Sequence, residues 1–378
     1  MFLVERFIGI GIYTSLLILI CLLMVYSNAK CKPMLRVYLM GLCIMAFFYK
    51  PYITADLSRI FDTIDFFSNF RFKEFFEDYA LPSSVPAARI FYWFIGKTRV
   101  YALVSVVSAA VSYSMIFYII EKTRERYSVS KSNVALTLFF LMTTSIYLSV
   151  IGGIRMMMAM SMIVFCFFRE NVEKKFNIFH IVLYAIAIFT HNMALFMIVV
   201  RVSATIFDSA KKKLTRFLFL ALILAGAVFF ASNFEAILLD IFENANVYLS
   251  GEGYYDIWEY IMGVLILVFV VILLKTYRKY KDQEEYAPFK AFNNSIIYSM
   301  IISGVFCFQF SIFYRFAGHF IPLLALPIIM TTLQETTNKP ELFRVRSSFK
   351  SVLIIFSICI MLISFSRGSM SSLKFFEL

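Results

Sequence analysis

Long apolar runs alternate with short polar connections along most of the chain. Many windows of about 18 or more residues carry almost no charge, and ~20 apolar residues suffice for a helix to cross a hydrocarbon core of ~30 Å. A transmembrane β-barrel would instead have alternating segments of about ten residues. The pattern therefore predicts an all-α, polytopic transmembrane helical bundle of about twelve helices, at 7–27, 34–49, 99–120, 133–150, 154–168, 176–190, 192–208, 214–232, 258–274, 292–313, 319–335 and 351–366.

The composition supports a membrane protein. Of the 378 residues, 61% are hydrophobic and 16% are charged, whereas soluble domains average roughly 45–50% apolar and about 25% charged. This excludes a water-soluble enzyme, a disordered chain and a secreted disulfide scaffold. No interior linker divides the chain, so we expect residues 1–378 to form a single integral membrane domain.

The placement of the basic residues predicts the orientation. The formal net charge is +12, and with the N-terminus outside, 24 of the 36 Lys and Arg residues fall in the inner connections. Short cytoplasmic loops carry this excess in membrane proteins. The charge is thus explained by topology and by contact with anionic membrane lipids, which argues against a nucleic-acid partner.

This orientation depends on a turn near Thr190 and His191. A single helix over 176–200 would invert everything downstream and place Lys211, Lys212 and Lys213 outside. We therefore predict two short helices. A 15-residue helix covers only about 22 Å, so short spans at 154–168 and 176–190 predict an outward-facing recess.

Two outer segments are long enough to cover this recess, at 50–98 and 233–257. The first is amphipathic and of mixed charge, and its end, 84–97, is a candidate interfacial or re-entrant helix.

Sparse ionisable residues at outer helix ends are the candidates for chemistry, because charges at membrane depth are costly. Arg155 begins one predicted helix, and Arg315 and His319 are four residues apart, which places them on one helix face. A guanidinium group suits a diphosphate because it stays charged and offers several donors in a plane. The alternatives are interfacial anchoring of the arginines and simple packing of His319.

Further candidates lie at the predicted hairpin tip and in the first outer segment. His191 and Asn192 occupy the tip, while Asp56 and Arg59 begin the outer segment. The three-residue spacing of Asp56, Arg59 and Asp62 fits an exposed salt-bridged face equally well, and His191 also fits a packing role. No HExxH-like or DxD-like pattern is present, so we expect neither a metal nor a cofactor.

Four motifs stand out, at Thr54 to Phe61, Gly152 to Ala159, Ala187 to Ala194 and Phe313 to Phe320. Together they resemble those of one family, the EpsG-like, Wzy-type exopolysaccharide and O-antigen polymerases. The resemblance lies in an acidic motif after the second helix, an Arg opening a helix, a hairpin with His at its tip, and a late Arg-containing helix start. Met156 stands where the family often has Gln.

This resemblance implies a GT-C-like glycosyltransferase in the bacterial cytoplasmic membrane, acting on its outer face. The growing glycan would pass from undecaprenyl diphosphate to the non-reducing end of a lipid-linked repeat unit, and a chain-length regulator is a further expected partner. The candidate catalytic residues are His191, Asp56 as the competing base, and Arg315; the candidate binding residues are Arg155, Arg315, His319, Arg59 and Asn192.

Two other classes fit the same pattern. A lipid-linked oligosaccharide flippase or transporter should carry charges through the full membrane depth and often has two related halves. Another membrane transferase, such as a glycan ligase or an O-acyltransferase, is the third interpretation.

Overall fold

The computed structural model describes residues 2–51, 56–144, 146–209, 257–278, 288–307, 310–334 and 340–366. These residues form helices joined by short turns, and none of them lies in a β-strand. The prediction of an all-α protein is therefore confirmed.

The helices are named here in chain order. They are α1 (Phe2–Tyr26), α2 (Cys31–Phe48), α3 (Asp56–Ser68), α4 (Phe72–Phe75), α5 (Pro86–Thr98), α6 (Leu103–Tyr127), α7 (Lys131–Thr143), α8 (Ile146–Gly152), α9 (Ile154–Asn171), α10 (Ile178–Thr190), α11 (Met193–Ser209), α12 (Ile257–Arg278), α13 (Lys290–Val305), α14 (Phe310–Tyr314), α15 (Ile321–Thr332) and α16 (Pro340–Ser366). Two π-helical segments, Phe76–Ala80 and Arg315–Phe320, continue α4 and α14.

Six helices of the described residues are long and apolar enough to cross a membrane. They span Phe7–Tyr26, Cys31–Phe48, Leu103–Tyr127, Ile257–Arg278, Ile312–Thr332 and Arg346–Ser366. The predicted count of twelve is not confirmed. The predicted span at 214–232 lies outside the described residues, as does almost all of the outer segment 233–257.

The predicted span at 133–150 is broken into α7 and α8. The hydroxyls of Thr143 and Thr144 donate hydrogen bonds back to the carbonyls of Phe140 and Leu141, at 3.0 and 2.7 Å. Such side-chain bonds compete with the helical backbone ladder, and hydropathy alone does not reveal them.

The late spans also differ from their predicted bounds. The helix predicted at 292–313 ends at Val305, where the amides of Phe306 and Cys307 donate to the carbonyls of Ile302 and Gly304 in a turn. The helix predicted at 319–335 begins earlier, at Phe310, and includes the π-helical turn Arg315–Phe320.

The predicted turn between α10 and α11 is confirmed. Helix α10 ends at Thr190 and has only 13 residues, about 20 Å of helix. His191 ends it with an extended backbone, φ −156° and ψ 125°, and α11 begins at Met193.

Helices α9 and α15 form the centre of the bundle. Every residue of α15 is buried, and so is α9 from Met157 to Phe168. Helix α6 runs parallel to α9: near its start the Ser108 hydroxyl donates to the Val150 carbonyl, and further on the Tyr118 hydroxyl donates to Glu173 at 2.8 Å. This packing places the first residues of α6 and α9 at one end of the bundle.

We call that end the site end, defined by Arg155 and by the turn at His191. The opposite end is called the basic end. There Lys32 pairs with Glu121 at 2.7 Å, and the Lys131 ammonium donates to the Ser27 carbonyl at 2.9 Å.

Helices α3 and α5 pack closely in the segment 56–98, which we call the cap. A Cβ atom on Gly96 would lie 2.8 Å from the Ile64 carbonyl oxygen and 2.9 Å from the Ser68 Cβ. Beside this contact, the Lys97 ammonium donates to the carbonyls of Ser68 and Phe70, both at 2.9 Å. The glycine therefore sets the close approach of the two helices.

We predict that Gly96→Ala destabilises the protein by about 1–3 kcal/mol, the usual cost of overpacking a tight contact. Thermal unfolding of the purified protein in detergent measures the change. Gly11→Ala is the matched control, because a Cβ at Gly11 meets nothing within 4 Å. Equal stability of the two variants would contradict the close packing of α3 on α5.

Candidate active site

The first element of the site is the N-terminal end of α9, which carries Arg155. The hydroxyls of Ser105 and Ser108 donate to the carbonyls of Ile151 and Val150, at 2.8 and 2.5 Å, and hold α8 against α6. Helix α9 begins directly after Gly153. The exposed guanidinium of Arg155 thus lies at the positive end of a helix, where both the side chain and the backbone dipole favour an anion.

The second element is the π-helical turn Arg315–Phe320, with the half-buried Arg315 at its start. It follows Phe313, whose ring stacks on Tyr260 with 4.7 Å between centroids. A Cβ at Gly263 of α12 would lie only 2.6 Å from that ring, so the glycine allows α12 to approach. Such π-turns are frequent at functional sites.

The third element is the turn that carries His191. The Met193 amide donates to Nδ1 of His191 at 3.1 Å, and the Ala194 amide donates to the His191 carbonyl at 2.9 Å. The side chain therefore caps the start of α11. Because Nδ1 accepts this bond, the proton of the neutral ring sits on Nε2, which makes Nε2 a donor.

The charges of Arg155 and Arg315 both act on the side chain of His191. Burial, followed by the charges of Arg315 and Arg155, lowers the pKa of His191 to about 3. The ring is therefore neutral at physiological pH. Since both guanidinium groups act on the same imidazole, the structure brings together three of the residues that the sequence singled out.

Two further residues of this site, Arg89 and Tyr92, were missed by the sequence analysis. Burial and the charge of Arg155 lower the pKa of Arg89, and its guanidinium donates to the Tyr79 carbonyl at 2.7 Å. Tyr92 is one helical turn further along α5 and is 4% exposed. Their three-residue spacing places both side chains on one helix face, but nothing in the sequence shows that this face adjoins Arg155.

The charges of Arg155 and of Asp56 both act on Tyr92. Burial raises the pKa of Tyr92 to about 12, while Arg155 lowers it and Asp56 raises it. Within the described part of the chain, its hydroxyl has no hydrogen-bond partner. Asp56 itself pairs with Arg59 at 3.8 Å, and both side chains are more than three-quarters exposed.

Asn192 and His319 occupy the margins of the site. The Asn192 amide donates to the Ser84 hydroxyl at 3.3 Å, which ties the hairpin tip to the start of α5. His319 is 1% exposed and packs edge-on against Tyr314, with 4.6 Å between ring centroids. A direct contact of either side chain with a substrate stays a prediction.

These elements define a positively charged site at one end of the helical membrane bundle. Arg155 and Arg315 both act on the neutral His191, and Arg89 lies near Arg155. Such a site is suited to an anion with several oxygen atoms, because guanidinium groups bind phosphate oxygens in pairs. Among residues that the structure describes, no group of three His, Cys, Asp or Glu side chains is arranged to hold a metal ion.

The architecture is that of a multi-pass membrane protein. The sequence profile of the EpsG family matches residues 88–376. The chain therefore belongs to the EpsG family, a family of membrane proteins of polysaccharide biosynthesis. The matched range includes Arg89, Arg155, His191 and Arg315 but not Asp56. No curated protein and no solved structure matches the chain.

Proposed function

We propose that this protein is a polysaccharide polymerase that extends a lipid-linked glycan. A hydroxyl at the non-reducing end of one lipid-linked repeat unit attacks the anomeric carbon of the growing chain. A carbon–oxygen bond forms there, and the bond to undecaprenyl diphosphate breaks. The diphosphate leaves with the electron pair, and the proton of the attacking hydroxyl passes to a base.

The observation that carries this proposal is the arginine cluster at the site end. A leaving diphosphate gains negative charge as its bond breaks, and positive groups already in place stabilise that charge without reorganising. Arg155 and Arg315 balance the diphosphate in this mechanism, and Arg89 adds a third cation. A bound divalent metal or cofactor is not needed for this step.

The roles of His191 and Asp56 follow from their surroundings. His191 is neutral, its Nδ1 accepts the Met193 amide, and its Nε2 carries the proton. We therefore propose that His191 donates a hydrogen bond to a phosphate or sugar oxygen. Asp56, exposed and near Tyr92, takes the proton of the acceptor hydroxyl in this mechanism, and Tyr92 adds a donor between Asp56 and Arg155.

The proposed location is the bacterial cytoplasmic membrane. If the basic end faces the cytoplasm, the site end faces the periplasm or the cell exterior, where lipid-linked repeat units are joined. His319, Arg59 and Asn192 remain proposed binding residues at the margins. A chain-length regulator is a proposed partner.

We predict that Arg315→Ala abolishes most chain extension, because loss of one preorganised donor to a developing negative charge costs about 10²–10³ in rate. The measurement is an electrophoretic profile of lipid-linked glycans from cells lacking the protein and from cells carrying wild type or variants. Single repeat units should accumulate with Arg315→Ala and in the null strain, and a ladder should form only with wild type. Arg155→Ala, at an exposed position, should behave like Arg315→Ala.

Arg36→Ala is the control for loss of a positive charge, since Arg36 is exposed at the basic end on α2. It should leave the ladder unchanged. Wild-type ladders from both site variants, at normal membrane levels of protein, would refute the polymerase site. Repeat units that never reach the outer face in the null strain would identify a flippase instead.

We predict that His191→Gln retains more chain extension than His191→Ala, because the Gln amide can replace the Nε2 donor but cannot act as a base. The rate of polymer formation by membranes at several pH values compares the two variants.

The wild-type rate should have no acidic limb with a midpoint near 6.5, the ordinary pKa of His, since His191 stays neutral far below that pH. An acidic limb near 6.5 that disappears in both variants, with equal loss of activity, would make His191 the base.

A further inference from the structure

A second candidate binding site lies on the outer surface of the bundle, between α12 and α13. The two helices flank the π-helical turn and α15, and they leave between them a groove of about 340 Å³. The residues that line it are Val271, Leu274, Lys275, Arg278, Ile297, Met300 and Ile301. This groove lies away from the arginines of the candidate active site.

The lining follows the helical repeat on both sides. On α12, residues 271, 274, 275 and 278 are spaced as one continuous face of a helix. On α13, residues 297, 300 and 301 have the same spacing. The groove is thus formed by two facing helical stripes, so an elongated ligand can lie along it.

Polar and apolar groups are separated along this groove. The two cations, Lys275 and Arg278, are exposed in the last turn of α12, and the other lining residues are apolar. Val271 and Ile301 are 38% and 56% exposed. Helix α12 has 22 residues, about 33 Å, which is close to the ~30 Å core of a bilayer. If α12 spans the membrane, its last turn lies at headgroup depth.

We propose that this groove binds one acidic glycerophospholipid. The phosphate lies between Lys275 and Arg278, and an acyl chain lies along the apolar stripes. Charge complementarity argues for an acidic lipid, because an apolar groove with no cations would accept any acyl chain. The groove reaches the basic end, because Tyr127 at the end of α6 packs on Phe289 beside the start of α13, with 5.1 Å between ring centroids. This position separates the lipid from the lipid diphosphate of the proposed reaction, and the proposal is independent of that reaction.

Native mass spectrometry of the purified protein, titrated with phosphatidylglycerol or with phosphatidylcholine of the same acyl chains, tests the proposal. Wild type should retain one phosphatidylglycerol more tightly than any phosphatidylcholine. The double variant Lys275→Gln with Arg278→Gln should bind it about thirtyfold more weakly, since each cation near an anionic headgroup contributes about 1 kcal/mol.

The matched control is Lys30→Gln with Arg36→Gln, which removes one exposed Lys and one exposed Arg from the basic end outside the groove. It should retain the lipid as wild type does. A third variant, Ile301→Trp, fills the groove and keeps both cations, and it should weaken retention of phosphatidylglycerol. Equal weakening by the groove and control double variants would overturn the proposal, as would equal retention of the two lipids by wild type or unchanged retention by Ile301→Trp.

Discussion

The positively charged side chains at the site end repel one another, and the rest of the site must hold them together against this repulsion. Arg155 acts on both Arg89 and His191, and Arg315 acts on the same imidazole. Positive groups gathered at the end of an apolar bundle are costly unless other protein groups or an anion compensate their charge, as the Tyr79 carbonyl does in part for Arg89. Three elements of the fold hold them in place: the start of α11, which His191 caps, the π-helical turn Arg315–Phe320, and the segment 56–98. An anionic ligand would reduce this repulsion, which is why we propose a diphosphate as the ligand.

The surrounding structure determines both the tautomer and the charge of His191. Its Nδ1 is engaged by the backbone of α11, and the adjacent positive charges oppose protonation of the ring. A neutral imidazole with its proton on Nε2 can donate a hydrogen bond without adding charge to the site. The same arrangement disfavours His191 as a base, which the sequence left open, and it directs attention to Asp56 and to Tyr92 between Asp56 and Arg155.

The sequence predicted the features that depend on local patterns. Charge placement required a turn at Thr190 and His191, and the structure confirms it. The break at Thr143 and Thr144 escaped prediction, because it depends on hydroxyls that bond to their own helix. The π-helical turn at Arg315 also escaped, because its packing involves Gly263 of another helix. Arg89 was hidden among seven basic residues between Lys50 and Arg99, and only tertiary packing distinguishes it from the others.

The central claim is that the arginine cluster binds a lipid diphosphate. The most direct measurement is the affinity of the purified protein for farnesyl diphosphate, a short isoprenoid diphosphate, compared with farnesol. Wild type should bind the diphosphate with a marked salt dependence, Arg155→Ala and Arg315→Ala should each bind it at least tenfold more weakly, and farnesol should bind all three proteins alike. Equal affinity of wild type and both variants for the diphosphate would contradict the account.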